Sequence, residues 1–375
     1  MQITKIASSN PSRLSKLLTL SKGGELEKFP AGQLVEGEFT VIDCNRITEF
    51  AELLPLLQKN EALCFGRPEK DSGRLLSKKC KAQEKDSDSI TRTRECFDWP
   101  KGAAVFFGDS DPAPGTDALT HEQVRSTLCE VMPELADAPM VLWHSASSHI
   151  YHKDTGETLK GAGGVRIYII VADGRDIPRF GQALFDRLWL NGKGFYVCSK
   201  SGALLLRSVL DATVWQPERL DFAAGAFIDQ EQPIEQRRPQ PLVFNPGATP
   251  FNTAIISDLT AEEEIQLSDI RDAEREKIKS RQDEVRTAWI DKGLQTIDDI
   301  EERSRKRATL ENAVIHRKLF ADFELITRDN LNITVGEILD DPDKWHNKYL
   351  KDPLEPEYNG YSNVSWLNLR SGGKP

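Results

Sequence analysis

A mixed α+β fold is the class this sequence predicts, on three observations. Apolar runs of strand length alternate with longer runs of helical spacing between residues 60 and 245. A proline-rich break at 236–252 separates that alternation from two long, charged, helix-spaced stretches. No internal repeat of fixed period is apparent, so solenoids and propellers are excluded. A length of 375 residues agrees, since domains of roughly 100–200 residues give two or three.

Taken in order, FTVIDCNRI (39–47) and ALCFGRP (62–68) read as strands, with ITEFAELLPLL (47–57) as a short helix between them. The charged, serine-rich KDSGRLLSKKCKAQEKDSDS (70–89) reads as an exposed loop. The strand AAVFFGDSD (103–111), the helix THEQVRSTLCEVMPEL (120–135), and the strands PMVLWHSAS (139–147) and GGVRIYIIV (163–171) follow. The helix IPRFGQALFDRLWL (177–190) and the strands GFYVCS (194–199) and SVLDATVW (208–215) complete the alternation. Beyond the break, 259–293 and 297–320 are predicted as helices parted at Gly293. Thr260 and Glu263 form a capping-box pattern, and the acidic start suits the positive end of a helix dipole.

The composition bounds the function. Apolar residues at 39% and charged residues at 29% supply a core and exclude wholesale disorder. No run approaches the roughly 18 apolar residues of a membrane span, and the first residues lack a signal-peptide block. Six scattered cysteines without C-x-x-C argue against a zinc module or a disulfide framework and fit a reducing cytoplasm. A net charge of −10, from 49 basic and 59 acidic residues, opposes bulk coating of nucleic acid but not a local basic groove.

Asp109 and Asp111 close an apolar run in the order D-x-D. Residues i and i+2 of a strand share a face, so the two carboxylates stand side by side, and their repulsion would be relieved by a divalent cation. A plain strand-end turn before Pro112 is the alternative. Asp211 ends the apolar SVL, where an unpaired carboxylate must reach water or a cation. Convergence with Asp109 and Asp111 would make a two-metal site, and a salt bridge to Arg219 or Arg207 is the other reading. In 145–171, serines including Ser148, then Lys160, three glycines including Gly164, and Arg166 offer a cradle for a triphosphate. The segment lacks the G-K-[ST] of a Walker A loop, and a ligand-free hairpin turn would also explain it.

Together these segments resemble the archaeo-eukaryotic primase superfamily, in particular the primase-polymerases of phages, plasmids and integrative elements. VFFGDSDP (105–112) is similar to its first motif, and LDATVWQPERLDF (210–222), with Asp211, Val214, Trp215 and Arg219, to its third. The second motif, Ser-x-His before an aliphatic strand, is sought at GGVRIYIIV, where Gly164 and Arg166 stand in its place. The resemblance covers roughly 60–245. It implies a catalytic core with an RRM-like sheet over 61–250, after an α/β extension at 1–60. A helical domain at 251–330 follows, with a connector at 331–375 leading to a helicase part, fused or separate. The chain is expected to be part of a longer polypeptide or a stand-alone version lacking the motor.

The implied activity is template-directed nucleotidyl transfer on single-stranded DNA, in replication of a mobile element or phage in the cytoplasm of a bacterial or infected cell. Asp109, Asp111 and Asp211 would bind two Mg²⁺ or Mn²⁺ ions while a 3′-hydroxyl attacks the α-phosphate of an NTP or dNTP. Arg166, Lys160, Ser148, Gly164 and Arg219 would hold the nucleotide. Arg92 and Arg94, on a strand beside Phe97 and Trp99, suit contacts to a single-stranded template, an exposed edge strand with core aromatics being the other reading. The alternatives are a non-catalytic single-strand-binding initiation module and a metal-dependent nuclease. The basic residues of 271–307 are interleaved with acidic ones and read as a solvated helix face. His144, His149, His152 and His316 show no metal-ligand spacing.

Overall fold

The computed structural model describes residues 1–84, 88–113 and 115–370, and it is a mixed α+β protein. The chain forms two compact units, Met1–Gly194 with Arg207–Ile270, and Phe195–Leu206 with Arg271–Pro375. No helix among the described residues is long and apolar enough to cross a membrane.

In the first unit, a four-stranded antiparallel sheet carries the candidate residues. Its order is Leu242–Phe244, Met140–His144, Val165–Val171, Ala104–Ser110. Helix His121–Val131 joins the Ala104–Ser110 strand to Met140–His144, and helix Ile177–Leu190 follows Val165–Val171. The Thr120 hydroxyl and the Gln123 side chain cap the first of these reciprocally. All seven residues of Val165–Val171 are buried. An antiparallel strand usually alternates, but this one is covered on both faces and reads as a buried run interrupted by the charge of Arg166. On one face Phe107, Tyr168, Phe50 and Phe65 pack ring to ring. On the other, Phe106 meets Phe180 and Trp215, whose indole N–H donates to the carbonyl of Phe107.

Residues 1–60, expected as an α/β extension packed on the core, belong to this unit. Strand Gln2–Asn10 lies between Glu36–Asp43 and Glu61–Cys64 in a five-stranded sheet completed by Ser72–Leu76 and Ile90–Thr91. The segment 70–89, read as a loop, contributes the strand Ser72–Leu76 and the helix Lys78–Gln83.

The second unit contains most of helix Ala261–Gly293 and all of Ile300–His316, close to the predicted bounds and parted after Gly293. Thr260 and Glu263 cap the first as predicted. The helix ends share one core with 323–350, through Ile290, Leu294, Leu310, Val314, Phe323, Leu325, Ile338 and Leu350. The expected division at 330 is therefore absent, because residues on both sides of it bury against each other.

Candidate functional site

The register of the four-stranded sheet sets the site. Asp109 lies opposite Arg166, which lies opposite Trp143, so the three side chains form a row on one face. Asp111 follows the strand end and is exposed. The main chain of Asp211 joins the free edge, its N–H donating to the carbonyl of Asp109 at 2.9 Å. The main chains of Asp109, Asp111 and Asp211 thus lie together at one end of one sheet. Asp211 does not end a strand, however. It caps the short 3₁₀ turn Ala212–Val214, with Oδ1 accepting from the Thr213 N–H at 2.9 Å.

Burial pushes the Asp109 carboxyl up to about 6, with Asp111 and Asp221 adding to it and Arg166 opposing. An all-oxygen donor set with an undercompensated carboxylate suits a hard divalent cation. Among the described residues, no three His, Cys, Asp or Glu side chains stand grouped as a ready metal cage.

Arg166 is not where the sequence reading put it. Expected at the mouth against a triphosphate, it is 5% exposed and its Nε donates to Oδ1 of the fully buried Asp221 at 2.6 Å. The Tyr168 hydroxyl donates to Oδ2 of the same carboxylate, also at 2.6 Å. Burial opposes the guanidinium charge, but Asp221 and Asp109 more than restore it. Its Nη1 is buried without a hydrogen-bond partner.

The glycine and serine segment does converge on the acidic end. A Cβ at Gly164 would stand 2.3 Å from Oδ1 of Asp111 and 2.9 Å from the carbonyl of Ser110, so only glycine lets the chains approach this closely. A Cβ at Gly163 would meet the Ser148 hydroxyl at 2.9 Å. Ser148 is fully buried and shares a hydrogen bond with Ser145 at 2.8 Å. Lys160, on a hairpin strand Thr158–Lys160, donates to the Ser147 hydroxyl at 3.3 Å. Burial and Lys28 lower the Lys160 pKa while Asp111 holds it up.

Three predicted contacts lie elsewhere. Arg219 is exposed and makes no ion pair with Asp211 or Asp221, the latter being taken by Arg166. Arg92 and Arg94 sit beyond the two-residue strand Ile90–Thr91, not along a strand. Arg92 donates to the carbonyl of Glu218 at 2.7 Å, and Arg94 lies 3.4 Å from its carboxylate, so both hold the 216–218 loop.

Other members were missed. Lys16 lies within electrostatic range of Asp109, Asp111, Arg166 and Lys28, and burial with those cations brings it down to about 8. Nothing in its local sequence marks it. His121, His144 and His149 stack in a row, with His149 Nε2 and His144 Nδ1 3.2 Å apart. The sequence reading set His144 and His149 aside for want of metal-ligand spacing.

No protein-family model matches this chain, and neither a curated protein nor a solved structure is similar to it.

Proposed function

We propose that the chain is a template-directed nucleotidyltransferase of the primase-polymerase type. The observation that carries this reading is the joining of the Asp211 main chain to Asp109 at one sheet edge, beside the close packing of Gly164 on Asp111, with the Lys160–Ser147 pair in electrostatic range of Asp111. The order strand, helix, strand, strand, helix, with Val165–Val171 between the other two strands, supports an RRM-like core. The outer strand Leu242–Phe244 beside Met140–His144 is a departure from a simple fourth strand next to Asp109.

Asp109, Asp111 and Asp211 would hold Mg²⁺ or Mn²⁺. Bound ions would supply charge stabilisation for the attacking and leaving oxygens of phosphoryl transfer. Lys160, with the Ser147 hydroxyl, holds the triphosphate of an NTP or dNTP, and Lys16 adds a second positive charge from the N-terminal segment. Arg166 acts from behind, fixing the charge balance at Asp109 without touching the nucleotide. Single-stranded DNA is the partner.

The test is incorporation of labelled nucleotides on primed and unprimed single strands with Mn²⁺ or Mg²⁺. Incorporation is expected in the wild type and lost in Asp109→Asn with Asp111→Asn; activity unchanged in that variant overturns the assignment. A second reading, single-strand binding without chemistry, draws on the lack of a ready three-ligand group among the described residues. It predicts salt-dependent binding and no incorporation under either metal.

A further inference from the structure

We propose that Lys59 and Arg238, gathered at the bare Cα of Gly225, form a binding site for a dianionic phosphate group, distinct from the cradle at Lys160. A Cβ at Gly225 would meet Lys59 Nζ at 2.4 Å, Gln236 Oε1 at 2.7 Å and Arg238 Nη2 at 3.3 Å. The Lys59 ammonium and the polar ends of Gln236 and Arg238 therefore pack directly on the bare Cα of Gly225, close to one another and leaving no room for a side chain there.

The two cations lack a counter-charge. Arg238 Nη1 donates only to the carbonyls of His144, at 3.2 Å, and Ala223, at 3.0 Å, and its guanidinium stacks over Trp143 at 4.2 Å. Among the described residues neither side chain pairs with a carboxylate. The nearest acid acting on Arg238, Asp221, is already bound by Arg166 and Tyr168. Burial followed by Arg166 brings Arg238 down to about 9, and burial followed by Arg238 brings Lys59 down to about 8. Like charges held together this way are relieved by an anion. Lys59 is an exposed residue while Gly225 beneath its ammonium is buried, so a ligand would reach the cations from the Lys59 side.

Charge selects the class of ligand. Two unpaired cations match a phosphate monoester, which carries about −1.5 to −2, better than a monoanionic carboxylate or phosphodiester. Gln236 is not a ligand but a scaffold. Its amide N–H groups donate to the carbonyls of Ala146 and Ser148, and its oxygen accepts from the Ala226 N–H. It thereby fixes the back of the same serine loop whose hydroxyls face Lys160. Arg238 stacks over Trp143, whose main chain is two strand spacings, roughly 10 Å, from that of Asp109. A ligand there does not occupy the nucleotide cradle.

The experiment measures binding of inorganic phosphate, and of one short single-stranded oligonucleotide with either a 5′-phosphate or a 5′-hydroxyl, to the full chain. The variants are Lys59→Met, which removes one of the two charges, and Gly225→Ala, whose methyl displaces the Lys59 ammonium. Phosphate is expected to bind the wild type and raise its Tm, with about tenfold weaker binding in Lys59→Met, as for loss of one charge-assisted contact. Asp109→Asn with Asp111→Asn should bind phosphate as the wild type does, which separates this site from the proposed catalytic one. Tighter binding of the 5′-phosphorylated strand, lost in both variants, identifies a strand end as the source. Equal binding of the two strands with retained phosphate binding identifies a small phosphate compound. Binding that is indifferent to Lys59→Met and Gly225→Ala in every arm overturns the proposal.

Discussion

Arg166 and Asp221, 55 residues apart in sequence, meet inside the sheet with Nε and Oδ1 at 2.6 Å, and the Tyr168 hydroxyl completes the carboxylate. A carboxylate 1% exposed is tolerable only with such partners. Removing one member strands the other's charge. Asp221→Ala should therefore cost about 3–5 kcal/mol of stability, read by urea unfolding. A loss below about 1 kcal/mol would show that the pair is not the centre of this core. It also follows that Arg166→Ala cannot report on nucleotide contact alone, because it perturbs folding. Lys160→Met, at a partly exposed hairpin, is the variant that isolates triphosphate binding.

Asp109 links pH to stability. Its folded-state value of about 6 lies above the ordinary carboxylate value of 3.8, so the folded protein binds more protons than the unfolded chain between those limits. Stability should fall as pH rises through that window and stay lower above it, by about 1–3 kcal/mol. Asp109→Asn should abolish this slope in metal-free buffer and be more stable than wild type at pH 7. Added Mg²⁺ or Mn²⁺ should raise the wild-type Tm above pH 6 and leave Asp109→Asn with Asp111→Asn unmoved. An identical Mg²⁺ or Mn²⁺ shift in both proteins would place the cation elsewhere.

Much of this arrangement was legible because it is local. The D-x-D at a strand end, the glycines before Arg166, the capping box at Thr260 and the helix break at Gly293 are all written within a few residues. What was hidden depends on long-range pairing. Asp221 looked like one more acid near Arg219, and only the register of Arg166 against Asp109 turns its partner inward. Lys16 reaches the acidic end through a parallel pairing of Leu17–Leu18 with Phe227–Ile228, which no spacing within 1–60 reveals. Arg92 and Arg94 resembled a strand face because arginines alternate there, but the strand stops at Thr91 and the loop at Glu218 takes both.

Gly164→Ala tests the cradle without altering any charge. The new methyl would sit 2.3 Å from Asp111 Oδ1 and 2.9 Å from the Ser110 carbonyl, so Asp111 must swing away and the strand end at Ser110 must give by a few tenths of an ångström. Because Asp111 is an exposed side chain beyond the strand end, the fold should survive. Metal-dependent incorporation should drop at least about tenfold, while thermal unfolding shifts by only a few degrees. Full activity in this variant would mean that the position of Asp111 is not needed for chemistry.

The histidine row predicts acid lability. Burial, then His121, His149 and Arg238, bring His144 down to about 3. His121 and His149 are lowered too, burial being the main cause for each, with Glu122 opposing at His121 and Arg238 adding at His149. In the unfolded chain His144 would titrate near 6.5. The unfolded state therefore binds the extra proton between about 6.5 and 3, so stability is complete above that window and is lost as pH falls through it. One such proton gives a slope of up to about 1.4 kcal/mol per pH unit. His144→Gln keeps a polar group beside His149 Nε2 but cannot titrate, and it should flatten the acid limb of a urea-unfolding series from pH 7 to pH 4. His152→Gln, outside the row, is the matched control and should leave the limb as in wild type. If both variants retain the wild-type slope, the stacked histidines are not what limits stability in acid.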